Sequence, residues 1–439
     1  MKILFRVLAS LLMTLALLLM MNCSGAPGCP QASFGTSSAC GPGGNGNFGN
    51  GGPPGGGGNG NATPAAFVYA VDQTGGTSGN STTGTIDGYD LSTSAGSFEP
   101  LVKFTAPAIP ASDAGEAMVV VNKQFVYAVF ELTQPGIYGW SLDPTSGDLT
   151  TLTGFPMLMQ LNLPIGATGT YQMTSDPAGK FLFISSTGQN EILAFSIDNT
   201  TGALTAVPGS PFSTVTMGGF EPGNLATDGL GRFLYATIES VDGGKFFGFT
   251  IGNNGALALI PGSPFAANAW ELQGDASGHF LVATSGNAQD ITGRDDDHLY
   301  VFSINQTTGA VSPVGTPVVT DFSPLRIAMQ PPSSNGEFVY SFSVNDTNTG
   351  FNGIEGYQLN PNTGALTKIT GSPFTNVSLG QWGQFDQSGS NLLVYSDVLT
   401  QNGFVAQLGP LSVGSNGALT QPISPLTLVT PGWFVVTDP

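Results

Sequence analysis

Few side chains in this sequence are of the types that commonly perform catalysis. The chain of 439 residues has two histidines, and its three cysteines all lie within the first 40 positions. It has neither a Gly-x-Ser-x-Gly elbow nor a His-Glu-x-x-His zinc motif. A serine triad or a zinc hydrolase therefore has no sequence support. The remaining chemistry is general acid and base catalysis by carboxylates, with an arginine to stabilise a developing oxyanion.

An acidic loop before His298 is a candidate metal site. Its aspartates are Asp290, Asp295, Asp296 and Asp297. Carboxylate oxygens suit a hard cation such as Ca²⁺, although the spacing matches no EF-hand loop. A solvated acidic loop with Arg294 as counter-ion explains the same residues, and this simpler interpretation is favoured. We expect no other cofactor.

Four aromatic side chains stand near the starts of predicted strands: Trp270, Trp382, Trp433 and Tyr171. Aromatic rings at the mouth of a channel can stack on a sugar face. Packing between sheets is the alternative, and it is the favoured one.

A repeated unit must position these residues. Seven times a glycine precedes an apolar residue by two positions, at glycines spaced 51, 55, 53, 54, 55 and 53 residues apart. They are Gly96, Gly147, Gly202, Gly255, Gly309, Gly364 and Gly417. So regular a period indicates one supersecondary unit copied along the chain.

Each copy holds four short runs of β-type residues, which we label A to D. In one copy, strand A is predicted at residues 171–175, strand B at 181–185, strand C at 192–197 and strand D at 203–207. The first B strand, at Phe67, has no A strand before it, whereas residues 432–437 have the A pattern. The sequence therefore predicts an all-β, seven-bladed β-propeller of four-stranded antiparallel blades, closed by its C-terminal strand.

The first 62 residues are predicted to lie outside this fold. Lys2, Arg6 and the apolar run that follows indicate an export signal over residues 1–22. Residues 23–62 form a predicted flexible tether, because residues 41–62 alone contain 12 glycines and 5 asparagines. The propeller would then occupy residues 63–439.

The cysteines allow two interpretations. Cys23 follows the apolar run where a lipoprotein signal places its acylated cysteine, although the residues before it depart from the usual pattern. If Cys23 is acylated, Cys29 and Cys40 can pair in an oxidising compartment. Alternatively all three are unpaired thiols of the tether. The expected location is the periplasm or outer cell envelope, with a lipid anchor as one possibility.

The charge balance limits the partners. With 29 acidic and 10 basic residues, the formal net charge is −19. Nucleic acids and anionic membrane surfaces require clustered Lys and Arg, so contact with a membrane is expected only through the N-terminal anchor. The remaining partners are a small carbohydrate or lactone, or a cell-envelope protein, and we expect a monomer.

The repeat also resembles a known family. Phe-Leu-Tyr-type B strands, Thr-Gly-Ala-Leu turns and the Pro-Gly-Ser-Pro-Phe segments at 208–212 and 261–265 resemble lactonase-type seven-bladed propellers. That family includes 6-phosphogluconolactonase and the fungal muconate-lactonising enzymes. These motifs specify the scaffold better than the activity.

The resemblance implies three candidate catalytic residues. The family's Pro-Arg-His at the start of an A strand is matched by Leu-Arg-Ile around Arg326, which keeps the arginine and lacks the histidine. Its glutamate at the end of a B strand is matched by Glu131, and Glu239 occupies the same repeat position two blades later. By this resemblance, Arg326 would polarise a lactone carbonyl while a glutamate activates water. Local hydrogen bonding is the favoured alternative for all three.

Two functions from different classes follow. One is a binding or scaffold module of the cell envelope, supported by the export signal, the tether and the missing histidine. The other is a hydrolase of an uncharged lactone, supported by the resemblance. The sequence alone favours the binding module.

Overall fold

The computed structural model describes residues 66–72, 83–92, 97–100, 108–110, 115–130, 136–158, 171–215, 221–238, 245–286, 297–331, 337–343, 353–377, 380–400, 403–428 and 434–437. They lie in a compact unit spanning Gly58–Pro439. The elements that they form are β-strands, and no helical segment among them has the length and hydropathy of a membrane span. The predicted signal, the tether and all three cysteines fall outside the described residues.

These strands assemble into seven antiparallel sheets. Sheet 1 contains β1 (Ala66–Asp72), β2 (Thr83–Ser92), β3 (Ser97–Pro100), β4 (Ala108–Pro110) and β34 (Phe434–Thr437). Sheet 2 contains β5 (Gly115–Val121), β6 (Phe125–Phe130), β7 (Gly136–Leu142), β8 (Leu149–Thr151) and β9 (Met157–Leu158). Sheet 3 contains β10 (Tyr171–Ser175), β11 (Phe181–Ser186), β12 (Glu191–Ile197), β13 (Leu204–Ala206) and β14 (Phe212–Ser213).

The remaining four sheets follow in chain order. Sheet 4 contains β15 (Pro222–Thr227), β16 (Phe233–Ile238), β17 (Lys245–Ile251), β18 (Leu257–Leu259) and β19 (Phe265–Ala266). Sheet 5 contains β20 (Glu271–Gly274), β21 (Phe280–Thr284), β22 (His298–Ile304), β23 (Val311–Pro313) and β24 (Val318–Val319). Sheet 6 contains β25 (Arg326–Met329), β26 (Glu337–Ser343), β27 (Gly353–Leu359) and β28 (Leu366–Lys368). Sheet 7 contains β29 (Trp382–Phe385), β30 (Asn391–Thr400), β31 (Gly403–Val413), β32 (Leu419–Thr420) and β33 (Leu426–Leu428).

The order of the strands confirms an all-β propeller built from antiparallel A-B-C-D sheets. In sheet 3 the predicted A strand has the same first and last residues as β10. The predicted B, C and D strands correspond to β11, β12 and β13. In sheet 1 the A position is taken by the C-terminal strand, because β34 pairs with β1 from Phe67↔Thr437 to Ala70↔Phe434. The A strand of the first sheet thus comes from the opposite end of the chain.

Six of the sheets carry a short fifth strand that the sequence analysis did not predict. The Pro-Gly-Ser-Pro-Phe segments after strand D explain it in sheets 3 and 4. There the hydroxyl of Ser210 accepts the Ala194 N–H at 2.9 Å, and that of Ser263 accepts the Gly248 N–H at 3.0 Å. The segment is thereby held against strand C, where its last residues pair as β14 and β19.

A buried aspartate organises the A-to-B turn. In sheet 3 the Oδ1 atom of Asp176 accepts the N–H groups of Lys180 and Phe181, both at 2.6 Å. Asp228, Asp275 and Asp386 make the equivalent bonds to the first B residue of their own sheets. Because a buried carboxylate requires such partners, this turn fixes where the A strand ends in sheets 3, 4, 5 and 7.

The hydrophobic core lies between neighbouring sheets. The B strands are buried on both faces, as in β6 and β11, so they show no alternation of apolar and polar residues. One apolar cluster links each pair of consecutive sheets. A further cluster joins sheet 7 to sheet 1 through Leu393, Tyr395 and Val68.

Candidate active site

The A strands of sheets 2 to 7 line a central cavity of about 630 Å³. Five of them place a residue on its wall at the same position of the repeat, four residues before the first residue of the A-to-B turn. These residues are Gln172, Asn224, Glu271, Arg326 and Trp382. The repeat therefore brings side chains that are about 50 residues apart in sequence to one level of the cavity.

A charged pair lies at this level. The Nη1 atom of Arg326 in β25 is 3.2 Å from the Oε2 atom of Glu271 in β20. Glu271 is only 8% exposed, whereas the Arg326 side chain is 30% exposed. Burial raises the pKa of Glu271 above its ordinary value of 4.5, while the Arg326 guanidinium and the N–H of Ile327 act in the opposite direction. A partly desolvated carboxylate beside a cation is an arrangement typical of acid and base catalysis.

Hydrogen bonds between neighbouring A strands hold this wall in place. The Leu272 N–H donates to Asn224 Oδ1 at 3.0 Å, and the Met329 N–H donates to Gln273 Oε1 at 2.7 Å. The Glu271 N–H donates to the hydroxyl of Thr284, its partner in β21, at 3.2 Å. Backbone and side chains thus fix Glu271 and Arg326 on rigid strands rather than on loops.

A second carboxylate, Glu337, lines the cavity at the start of β26. The Ala276 N–H donates to its Oε1 atom at 3.3 Å. Burial, with a smaller contribution from Asp275, raises the pKa of Glu337 to about 7, against the effect of the Ala276 bond. Glu337 begins a B strand whereas Glu271 pairs with the end of one, so the two carboxylates belong to opposite ends of the cavity.

The structure brings together only some of the residues predicted from the sequence. Arg326 and Trp382 lie on the cavity wall. Glu131, Glu239 and Trp433 lie outside the described residues. Glu131 and Glu239 directly follow β6 and β16, whose last residues pair with the starts of A strands β5 and β15.

Two of the predicted aromatic residues do not line the cavity. Tyr171 is fully buried in the cluster between sheets 2 and 3, which corrects its candidate role in ligand binding and agrees with the alternative of packing between sheets. It stands one residue before Gln172, and alternate residues of a strand point to opposite faces. Trp270 is 41% exposed but is not part of the cavity wall, and its side chain lies over Gly286.

The predicted calcium site can be described only at one residue. Asp290, Asp295 and Asp296 lie outside the described residues. Asp297 Oδ1 accepts a hydrogen bond from the Ser323 hydroxyl at 2.6 Å. Among the residues that the structure describes, no group of three or more potential metal ligands was found.

The residues of the cavity wall that were not predicted from the sequence include Gln172, Asn224, Glu337 and, most important for the chemistry, Glu271. Glu271 precedes Arg326 by 55 residues, which is one repeat. Both lie four residues before the start of an A-to-B turn, at Asp275 and Gln330. Aligning the sequences of the A strands on these turns would have placed Glu271 and Arg326 at the same position of the repeat.

The sheets and the cavity wall define a β-propeller with a charged pair in its channel. Residues 79–260 match the family model described as "Lactonase, 7-bladed beta-propeller". This match confirms, over residues 79–260, the resemblance to lactonase-type propellers that the repeats indicate. The matched segment covers sheets 1 to 4 in part or whole, so Glu271 and Arg326 lie beyond it.

Solved structures share the fold at low sequence identity. A proposed 6-phosphogluconolactonase from Bacteroides uniformis is 16% identical with a TM-score of 0.57, and the match covers 85% of this chain and 99% of that one. A proposed 6-phosphogluconolactonase from Bacteroides fragilis is 17% identical with a TM-score of 0.57, over 86% and 99%. A protein from Lactobacillus plantarum is 13% identical with a TM-score of 0.52, over 82% and 95%. A search of curated proteins gave no match.

Proposed function

We propose that this protein is a hydrolase that opens the ring of an uncharged lactone. The family match supports this function over the binding module that the sequence alone favours. The observation that carries the proposal is the pairing of Arg326 with the buried Glu271 on the cavity wall. The similar Bacteroides structures support the fold of this site and not its substrate.

Glu271 and Arg326 have the complementary properties that ring opening requires. Glu271 takes a proton from a water molecule, and the resulting hydroxide attacks the lactone carbonyl carbon. The carbonyl oxygen gains negative charge, which Arg326 stabilises. A guanidinium has five N–H donors, so one group can contact both Glu271 and this oxygen.

Collapse of the intermediate completes the reaction. The bond from the carbonyl carbon to the ring oxygen breaks, and the ring oxygen leaves as an alkoxide that takes the proton from Glu271. One water is consumed, and the product is a hydroxy acid that ionises at neutral pH. Glu271 ends in its starting state.

Charge favours an uncharged substrate. On the described part of the cavity wall, Arg326 is the one cationic side chain, and it already contacts Glu271. The chain carries a formal net charge of −19. A sugar phosphate would need additional cations to offset this field.

The test is the hydrolysis of glucono-δ-lactone by purified protein, measured against buffer alone. We expect Glu271→Gln and Arg326→Ala to lower turnover by roughly 10²-fold or more, as the loss of an oxyanion donor does. Arg232→Gln is the matched control, since Arg232 pairs with Asp228 and does not line the cavity. A folded parent protein that opens the lactone no faster than buffer would instead support the binding module.

Glu131 and Glu239 remain alternative bases under the same proposal. Each follows a B strand that ends beside the start of an A strand. If Glu131→Gln or Glu239→Gln abolishes hydrolysis while Glu271→Gln does not, the base is the residue implied by the family resemblance.

We also propose that β34 closes a ring of seven blades. Its pairing with β1 supports this closure. Deleting residues 432–437 should then leave β1 with an unpaired edge and lower the melting temperature. Equal melting temperatures of the deleted and parent proteins would contradict the closure.

The location, the anchor and the metal remain proposals from the sequence. We propose export and acylation at Cys23, so Cys23→Ser should move the protein from the membrane fraction to the soluble fraction. We propose weak Ca²⁺ binding by the loop that contains Asp295, which should raise the melting temperature in millimolar Ca²⁺. Unchanged fractionation of the Cys23→Ser variant would refute acylation at Cys23. A melting temperature that neither Ca²⁺ nor a chelator alters would refute the Ca²⁺ site.

A further inference from the structure

Trp382 is a large aromatic residue on the otherwise polar level of the cavity that holds the charged pair. It begins β29, the A strand of sheet 7, and Arg326 begins β25, the A strand of sheet 6. Both side chains line the cavity from the same position of the repeat. Glu271, Arg326 and Trp382 therefore come from three consecutive sheets.

Its indole is held on a rigid support. Trp382 pairs with Tyr395 in β30, and their ring centroids are 5.9 Å apart with planes inclined at 35°. The next residue, Gly383, lies so close to sheet 6 that an added Cβ would come within 2.8 Å of Phe342 Cζ. Trp382 packs against the apolar cluster between sheets 7 and 1 but is only partly buried as a residue, and it lines the cavity, where part of its surface can contact a bound molecule.

Amides occupy the equivalent position in sheets 3 and 4. These residues are Gln172 and Asn224, and both line the cavity. Asn224 uses its Oδ1 atom to accept the Leu272 N–H at 3.0 Å, which orients its Nδ2 group as a donor. The charged pair is thus flanked by an aromatic ring on one side and by amides on the other.

We propose that Trp382 is a substrate-binding residue whose indole binds the C–H face of the lactone ring, while Gln172 and Asn224 determine specificity by hydrogen-bonding its hydroxyl groups. This inference rests on the proposed lactone hydrolase. An aromatic ring offers an apolar face to C–H groups, and an amide offers donors and an acceptor to a hydroxyl. The site therefore selects a polyhydroxylated cyclic lactone over an unsubstituted one.

The experiment measures binding without hydrolysis, using the stable lactams that mimic these lactones. Calorimetry gives the dissociation constant of glucono-δ-lactam and of unsubstituted δ-valerolactam for the parent protein and its variants. Trp382→Ala should weaken both lactams about tenfold, and Trp382→Phe, which keeps a ring, should weaken them less. Trp270→Ala is the matched control, because Trp270 is exposed but does not line the cavity.

The amide variants separate the two halves of the inference. Gln172→Ala and Asn224→Ala should weaken glucono-δ-lactam and leave δ-valerolactam unchanged. Equal affinities of the parent and the Trp382 variants would overturn the role of Trp382, as would an equal effect of Trp270→Ala. A parent protein that binds neither lactam would also overturn it.

Failure of the proposed function is distinguishable from failure of this inference. A parent protein that binds glucono-δ-lactam through Trp382 but opens no lactone would refute the hydrolase and support the recognition site. A parent protein that hydrolyses glucono-δ-lactone with kcat/KM unchanged in Trp382→Phe and Trp382→Ala would support the hydrolase and refute the role of Trp382.

Discussion

The hydroxyl of Tyr340 in sheet 6 donates a hydrogen bond to the carbonyl oxygen of Gly417 in sheet 7 at 2.7 Å, across 77 positions of sequence. The same bond recurs at 2.6 to 2.8 Å in three other pairs. They are Tyr69 with Gly147, Tyr127 with Gly202, and Tyr235 with Gly309. A tyrosine of one B strand thus binds the repeated glycine of the following sheet.

Replacing Tyr340 with Phe should destabilise the protein by about 1–2 kcal/mol. The variant keeps the ring but loses a buried hydrogen bond and leaves the Gly417 carbonyl without its donor. Thermal unfolding of the two proteins gives the difference. The complementary variant is Phe183→Tyr, because Phe183 occupies the same B-strand position in sheet 3, and it should gain stability by reaching Gly255. A Tyr340→Phe protein as stable as the parent would show that this bond contributes nothing.

Replacing Gly309 with Ala should be far more costly than replacing Gly315 with Ala. Both glycines have positive φ, +74° and +63°, which costs an L-residue about 1 kcal/mol. At Gly309 the new Cβ would also lie 2.5 Å from Phe233 Cδ1, whereas at Gly315 no atom lies within 4 Å. We expect Gly309→Ala to lose about 2 kcal/mol more than Gly315→Ala in chemical denaturation. Equal losses would mean that backbone conformation alone explains the repeated glycine.

Glu337 should make the protein less stable as the pH rises from 4.5 to 7. Its pKa is raised from 4.5 to about 7, chiefly by burial. Between these values the unfolded chain releases a proton that the folded protein retains, so the free energy of unfolding falls with rising pH. Below pH 4.5 both states are protonated, and above pH 7 both are ionised.

The variant Glu337→Gln cannot ionise and should escape this loss. Melting temperatures at pH 5 and pH 8 should differ less in this variant than in the parent protein. Glu221→Gln, at an exposed position, is the control and should behave like the parent. If Glu337→Gln and Glu221→Gln follow the same pH dependence, then the raised pKa of Glu337 has no effect on folding.

The sequence predicted the propeller because its repeat is local and regular. Turn glycines, B strands of β-branched and aromatic residues and the A-type segment at 432–437 can be recognised without knowing any contact. The reason for the repeated glycine could not be recognised. It lies in contacts with side chains of the preceding sheet, such as that between Gly309 and Phe233, which are distant in sequence.

The site was predicted in part. Arg326 was found through the family resemblance, but the same resemblance directed attention to glutamates at the ends of B strands and away from Glu271 on an A strand. Tyr171 was wrongly grouped with Trp382 because a shift of one residue along a strand reverses the direction of the side chain. The pairing of each A strand with its B strand shows which residues are equivalent. The residue of sheet 3 that corresponds to Trp382 is Gln172, one position after Tyr171.

The pH profile of lactone hydrolysis should identify Glu271 as the base. The reaction needs the ionised carboxylate, so kcat/KM should rise with pH through the pKa of Glu271, which burial raises above 4.5. Arg326 opposes this rise in the pKa. Arg326→Gln should therefore slow the reaction and also move the rising limb to higher pH, whereas Arg232→Gln should leave the limb in place. The profile is measured between pH 4 and pH 7 with the buffer rate subtracted at each point. A limb that Arg326→Gln does not move would exclude Glu271 and direct the search for the base to Glu131 and Glu239.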